Sequence, residues 1–360
     1  MKHVKEYRDI RLSRRMIEQI DGISRRRIRL MEVCGTHTVA IFRNGIRTVL
    51  PETISLLSGP GCPVCVTDQP EIDTAIAFAC QRNCIVATFG DLIRVPGTRS
   101  SLQQEQSAGR DIRIVYSTFD AVHIARENPD KSVVFLGIGF ETTAPTIAAS
   151  ILAAEKAGIS NYYVYSAHKL MPPALDTLIG QKALEIDGFL LPGHVSVIIG
   201  TQAYRPFFDQ YRLPSAVAGF EPVDILQAIY ELAVMIESET PRLVNCYPRA
   251  VTESGNGEAR DVMYRVFESC DASWRGIGRI PASGLKIREE FAAYDAARFF
   301  AVETPASAPP KGCACGEILT GKKTPPECPL YKTQCTPIHP VGPCMVSSEG
   351  TCAAFYKYYN

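Results

Sequence analysis

The sequence predicts an α/β protein made of two parallel-sheet units of the βαβαβ type, followed by an irregular, partly helical C-terminal domain. Three observations predict it. Short apolar runs alternate with helical stretches, polar signatures recur at nearly constant intervals, and a proline-rich tail carries six cysteines from Cys313 to Cys352. Runs of that length separated by helical segments imply parallel strands joined by right-handed crossovers.

In the first unit, residues 28–33 lead into Cys34-Gly35-Thr36-His37, residues 53–57 into Gly61-Cys62-Pro63-Val64-Cys65, and residues 84–89 into Gly90-Asp91. In the second, residues 132–138 lead into Phe140-Glu141-Thr142-Thr143-Ala144-Pro145, residues 162–165 into Ser166-Ala167-His168-Lys169, and residues 189–191 into Pro192-Gly193-His194. Cys34 to Cys62 and Cys62 to Gly90 are each 28 positions, Glu141 to His168 is 27, and His168 to His194 is 26. All six signatures are thus expected at the carboxyl ends of strands, where open α/β sheets bind ligands.

Helix starts support the same reading. Asp68-Gln69-Pro70-Glu71 has the form of a capping box with Pro in the first turn, and Ile72, Ala75, Ile76 and Ala79 follow on one face. Pro145 opens a helix that Gly158 is placed to stop. After Pro222 the pattern changes to a long amphipathic helix over 223–238, turns over 245–257, a Gly-rich loop over 276–284 and a linker over 304–310. The expected division is 28–120 for the first unit, 121–222 for the second, and 1–27 with 223–360 for the third domain.

With 38 basic and 38 acidic residues the formal charge is zero, which points to neither nucleic acid nor a membrane surface. The basic run at 24–29 reads as a solvated face. No apolar stretch approaches the roughly 20 residues a membrane span needs, because the best, 188–199, is broken by Pro192 and His194. Residues 1–15 are charged and lack a signal-peptide core, so the expected location is cytoplasmic. In a reducing compartment, grouped cysteines bind metal or do redox work more often than they staple a fold.

Thirteen cysteines fall largely into three groups. In the tail, Cys313, Cys328, Cys335 and Cys352 are separated by fourteen, six and sixteen residues. That spacing lacks the close pairs of a structural zinc site and suits an iron-sulfur cluster gripped from separate loops, with zinc as the alternative. Cys315 and Cys344 leave the ligand choice ambiguous. Cys62 and Cys65 can close a disulfide near a helix N-terminus, or be half a zinc site or two inert thiols. Cys34 and His37, three apart at a strand end, can share a borderline-soft metal, act as nucleophile and base, or be structural. His168 and His194 read as packed or capped histidines. Glu349 reads as a surface carboxylate or a proton carrier, and Cys80, Cys84, Cys246 and Cys270 as buried filler.

Taken together, these strings resemble the HypD family of hydrogenase maturation factors. The matching residues are Cys34 to His37, Gly59-Pro60-Gly61-Cys62-Pro63-Val64-Cys65, Gly139 to Pro145, Ser166 to Lys169, Leu191-Pro192-Gly193-His194-Val195-Ser196, and the tail spacing. The resemblance implies two α/β domains related by a pseudo-twofold around a cleft, with a third domain carrying a 4Fe-4S cluster on Cys313, Cys328, Cys335 and Cys352. It implies a scaffold on which, with HypC, an iron receives cyanide and carbon monoxide, the cyanide coming from HypE. Cys34 would hold that iron with His37 beside it, Cys62 and Cys65 would cycle between dithiol and disulfide, and Glu349 would move protons. A cluster-linked thiol-disulfide reductase is the competing reading. The chain is expected to be monomeric alone.

Overall fold

The computed structural model describes residues 6–180 and 185–359; residues 1–5 of the charged N-terminal stretch lie outside the described residues. The strands are β1 (Ile28–Glu32), β2 (Ile54–Ser58), β3 (Cys84–Thr88), β4 (Ile112–Ile114), β5 (Ser132–Gly137), β6 (Tyr162–Ser166), β7 (Gly188–Pro192), β8 (Ser215–Ala218), β9 (Leu243–Asn245), β10 (Phe267–Trp274) and β11 (Gly278–Ile287). They form two parallel sheets, ordered β2-β1-β7-β8-β9 and β4-β3-β5-β6, and an antiparallel pair, β10-β11. The α/β class with two parallel sheets is as expected, and β4, β8 and β9 extend the sheets beyond the six expected strands.

Which strand joins which sheet differs from the sequence reading. β1 pairs with β7, Met31 opposite Phe189, while β3 pairs with β5, Ile85 opposite Val133. The two units thus exchange their third strands, and the sheets do not follow the expected divisions at 120 and 222. A repeat interval marks where strands occur but carries no information on partners, because the exchanged strands β3 and β7 are each apolar on both faces. The N-terminal helix Ile10–Ile23, grouped with residues 223–360 in the sequence reading, packs on the first helix of that segment and not on its cysteines. Its Met16 and Ile20 pack with Leu226, Ile229 and Leu232 of the helix Pro222–Glu237 on the outer face of the five-stranded sheet. An amphipathic helix buries its apolar stripe against the nearest apolar face, whatever its distance along the chain.

Central strands divide their side chains between two cores. Met31, Val33, Val134, Leu136, Phe189 and Leu191 point into one core shared by both sheets and the tail, whereas Leu30 and Leu190 face one outer core and Val133 and Phe135 the other. The period of two along each strand therefore welds the sheets face to face.

Each of the six signatures follows the C-terminal end of its strand. Cys34 is the N-cap of helix Gly35–Arg43 and Cys62 that of the short helix Pro63–Val66. Asp68 and Glu71 form the expected capping box of helix Gln69–Ala79. Helix Ala144–Lys156 starts at Thr143 and is stopped by Gly158, whose φ of +66° favours glycine. The stretch read as a Gly-rich loop over 276–284 is instead the start of β11, held to β10 by a Trp274 Nε1 to Ser283 Oγ hydrogen bond of 2.9 Å. Residues 301–310 carry no regular element, and the tail adds only short helices, Cys315–Leu319, Pro343–Val346 and Thr351–Tyr358. Among the described residues no helix is long and apolar enough to cross a membrane.

Lys169, only 1% exposed, fastens these parts together. Its backbone N–H donates to Gly139 O, its Nζ donates to Glu71 Oε1 at 2.5 Å, and its backbone bridges to Gly284 of β11. Removing one partner of a buried ion pair leaves the other charge uncompensated. Lys169→Met should lower the unfolding free energy by about 3 kcal/mol, and adding Glu71→Gln should restore part of it. Urea denaturation at neutral pH measures both, and an unchanged midpoint for Lys169→Met would remove the pair from any structural role.

Candidate functional site

Loops from both sheets converge on one cavity of about 210 Å³. Cys34 and Thr36 come from the β1 loop, Gly61 and Pro63 from the β2 loop, Phe140, Thr142 and Thr143 from the β5 loop, and Pro192 and His194 from the β7 loop; Glu349 arrives from the tail. The β1 and β2 loops touch backbone to backbone. Gly35 N–H donates to Gly61 O at 3.0 Å, and a Cβ on Gly61 would lie 2.1 Å from Cys34 N. This places the Cys62 and Cys65 loop directly against the Cys34 loop.

Cys34 is buried at the cavity wall. Burial, with the nearby Glu349 and Glu32 carboxylates adding to it, pushes its thiol up to about 12. Without a cation the sulfur keeps its proton at neutral pH. Glu349 packs on Gly35, where a Cβ would come 2.6 Å from Glu349 Cβ, and its Oε1 accepts from Thr36 Oγ1 at 2.5 Å. Burial holds its pKa above the usual carboxylate range, and Asp91 adds to this. The neighbouring Ser347 and Ser348 hydroxyls donate to Asp91 Oδ2, so the Gly90-Asp91 signature anchors the segment that delivers Glu349.

His37 stands apart from the cavity wall. It is fully buried, and its Nε2 donates to Gly219 O at 2.9 Å and Ala218 O at 3.2 Å. Burial lowers its pKa to about 4, so the imidazole is neutral at pH 7, and its Nδ1 has no hydrogen-bond partner. The imidazole that lines the cavity is His194, stacked at 3.9 Å on Phe220, which in turn meets the His37 ring at 4.8 Å. Sequence reasoning gave His37 priority because it shares a tetrapeptide with Cys34. The available signal for His194 was its place at the end of β7.

Cys62 and Cys65 are joined as a disulfide with their Cα atoms 5.2 Å apart, and both are buried. The Cys65 N–H points at Cys62 Sγ, 3.2 Å away, as the first turn of a helix allows. On its far side Cys65 Sγ lies 4.0 Å from Pro343 O, the residue before Cys344. There begins a second, much tighter space of about 10 Å³, walled by Cys313, Cys328, Cys335 and Cys352 and also by Cys315 and Cys344. Cys315 Sγ and Cys344 Sγ are 2.7 Å apart. Gly342 leaves room beside Cys313, since a Cβ there would come 2.7 Å from Cys313 Sγ. Ile318, Leu330 and Met345 complete an apolar wall. Burial and the surrounding thiols push Cys352 well above an ordinary thiol. Among the described residues no three His, Cys, Asp or Glu side chains converge closely enough to chelate a single ion. Of the remaining cysteines only Cys84 is buried as expected; Cys80 is exposed and Cys246 and Cys270 are half-buried.

The model of the HypD family, described as the hydrogenase formation hypA family, matches residues 11–359. The chain belongs to the HypD family. It is 44% identical to the hydrogenase maturation factor HypD of Rhizobium leguminosarum bv. viciae over 99% of this chain and 96% of that protein. It is 43% identical to the factors of the same name from Azotobacter vinelandii and Cupriavidus necator, in each case over 99% of this chain and 97% of the relative. As a HypD-family chain it functions in hydrogenase maturation.

Two measurements probe this geometry. Gly61→Ala forces a methyl into the Cys34 backbone and should cost about 1–3 kcal/mol of stability while speeding maleimide labelling of Cys34. Unchanged labelling would mean that the two loops are not in contact. Glu141, in the Gly139 to Pro145 signature, accepts from Met171 N–H through Oε1, and its buried Oε2 has no partner. Burial raises its pKa to about 7. The folded state therefore binds a proton that the unfolded chain releases between about pH 4.5 and 7. Its contribution to stability is fully present below that window and lost as pH rises through 7. Glu141→Gln should remove this dependence, changing the stability difference from the parent by on the order of 3 kcal/mol between pH 4.5 and 8. Parallel denaturation curves across that range would contradict it.

Proposed function

We propose that this chain is the scaffold on which the iron of nickel-iron hydrogenase receives its cyanide and carbon monoxide ligands, with HypC as its partner and HypE as the source of cyanide. The observation that carries the reading is the unbroken succession from the Cys34 cavity, through the Cys62–Cys65 disulfide, to a cavity walled by six cysteines.

The cargo iron would be held at Cys34 Sγ together with a thiolate of HypC. Soft thiolate ligands suit such an iron, and a wall of Phe140, Pro192 and Pro63 keeps bulk water from it. Binding requires the Cys34 proton to leave, because metal ligation needs the thiolate. Glu349 lines the same cavity and, with its raised pKa, is fitted to take that proton. The backbone N–H of Thr142, just ahead of the 13-residue helix Ala144–Lys156, is suited to steady an anionic ligand, whereas that of Thr143 is donated to Phe140 O. His194 fits the role of cavity imidazole better than His37, whose Nε2 is committed to two carbonyls.

In the tail, Cys313, Cys328, Cys335 and Cys352 would hold a 4Fe-4S cluster. An all-thiol donor set arranged around a space rather than a point, with Gly342 lacking a Cβ beside Cys313, supports this over a single zinc ion. A cluster so placed supplies electrons one at a time. Cys344, in sulfur contact with Cys315, directly follows Pro343, whose carbonyl meets Cys65 Sγ. Burial of Cys62 and Cys65 argues for an internal relay and against a general disulfide reductase, whose dithiol must reach a foreign disulfide.

Anaerobic co-purification with HypC tests the proposal. The complex should show cyanide and carbonyl infrared bands, and the chain should carry about four irons and four acid-labile sulfides besides the cargo. Cys34→Ala should abolish the bands and leave the sulfide content unchanged. Zinc in place of sulfide, or an iron-free complex without bands, would overturn the reading.

A further inference from the structure

Arg275 sits at the tip of the β10-β11 hairpin, wedged between the disulfide loop and the six-cysteine cavity. Its backbone N–H donates to Val66 O at 2.8 Å, its Nε to Thr67 O at 3.0 Å and its Nη1 to Gln69 Oε1 at 3.0 Å. The next residue, Gly276, with φ of +78°, presses on Gly316 so closely that a Cβ would lie 2.3 Å from Gly316 Cα. Gly316 directly follows Cys315. Only 5% of Arg275 is exposed, and its Nη2 is buried with no hydrogen-bond partner. Among the described residues no carboxylate pairs with it; its bonds go to two carbonyls and an amide. Its electrostatic neighbours include Cys313, Cys315 and Cys344.

A guanidinium keeps its charge at all working pH values, and burying it without a counter-charge is costly. Such a charge persists where it serves a negative partner that forms nearby. We propose that Arg275 is the fixed counter-charge of the cysteine cavity, a positioning residue that stabilises the negative charge gained when the thiolate-bound cluster is reduced. This inference rests on the cluster reading given above. The hairpin supplies what the role needs. Trp274 is locked by its bond to Ser283, and Thr67 bridges to Trp274, so the guanidinium cannot swing out to water. Because the same side chain grips Thr67 and Gln69, the charge is also held beside the disulfide that receives the electrons.

Full-length anaerobic protein, assayed for iron and sulfide and titrated by electron paramagnetic resonance, tests this. Arg275→Gln should make one-electron reduction about tenfold less favourable, which is about 59 mV more negative. Arg275→Lys should return most of the way to the parent. Gln69→Glu keeps the hydrogen bond and neutralises the guanidinium in place, so it should shift the potential in the same direction as Arg275→Gln without removing the side chain from the hairpin. Unchanged potentials in Arg275→Gln and Gln69→Glu would overturn the inference. So would a Lys variant shifted as far as the Gln variant, since that would assign the effect to hydrogen bonding. Parent protein without acid-labile sulfide would overturn the cluster reading and this one with it.

Discussion

Between Gly61 and the Cys34 backbone there is no room for a methyl group, and that absence of space organises the site. Because the two loops meet main chain to main chain, the disulfide and the Cys34 thiol are neighbours without any side chain to bridge them. The same economy recurs where Gly35 receives Glu349, where Gly350 meets the Cys344 backbone, and where Gly276 meets Gly316. At each, glycine lets one segment of irregular backbone lie on another. The tail is thus docked by close approach and a few hydrogen bonds, in addition to its short apolar helices.

The interior is rich in groups that prefer water. Glu32, Glu141, His37, His168, Lys169 and Arg275 are all buried. Lys169 and Glu32 are paired or hydrogen-bonded, whereas Glu141, His37, His168 and Arg275 each retain a polar atom with no partner. Unpaired buried polar atoms cost about 1–3 kcal/mol each, so an ordinary core would not accumulate them. Glu141, His37 and His168 follow parallel strands β5, β1 and β6, where carboxyl ends of strands and amino ends of helices meet, while Arg275 lies at the tip of the antiparallel hairpin. Stability is surrendered there in favour of chemistry.

What was legible in the sequence was local. Strand positions, the Asp68 to Glu71 cap, the Gly158 stop and the location of all six signatures depend on short-range patterns that the residues state directly. Strand partnership was not, because β3 and β7 are apolar on both faces and fit either sheet equally well. The β10-β11 hairpin was hidden by glycines that read as loop, although Trp274 and Ile280 anchor it in the core. At the site, Cys34 and Glu349 line one cavity with the Cys62–Cys65 loop against it, a placement of Glu349 that its position in the tail sequence did not announce. His194 displaces His37 at the cavity wall, and Cys315 and Cys344 join the tail cysteines, since adjacency in sequence is a poor guide to which side of a loop a side chain takes.

The exchange of third strands has a bearing on how the molecule comes into being. β1 and β2, which carry the Cys34 and Cys62 loops, leave the ribosome early, but their sheet acquires β7, β8 and β9 only after the whole four-stranded sheet has been made. Domains usually complete themselves in the order of synthesis. Here the first-made sheet closes last, and the tail that seals the cavity comes later still. Cys34 is therefore among the earliest thiols to emerge and among the last to be enclosed, so a nascent chain must carry this thiol through most of translation without the walls that later bury it.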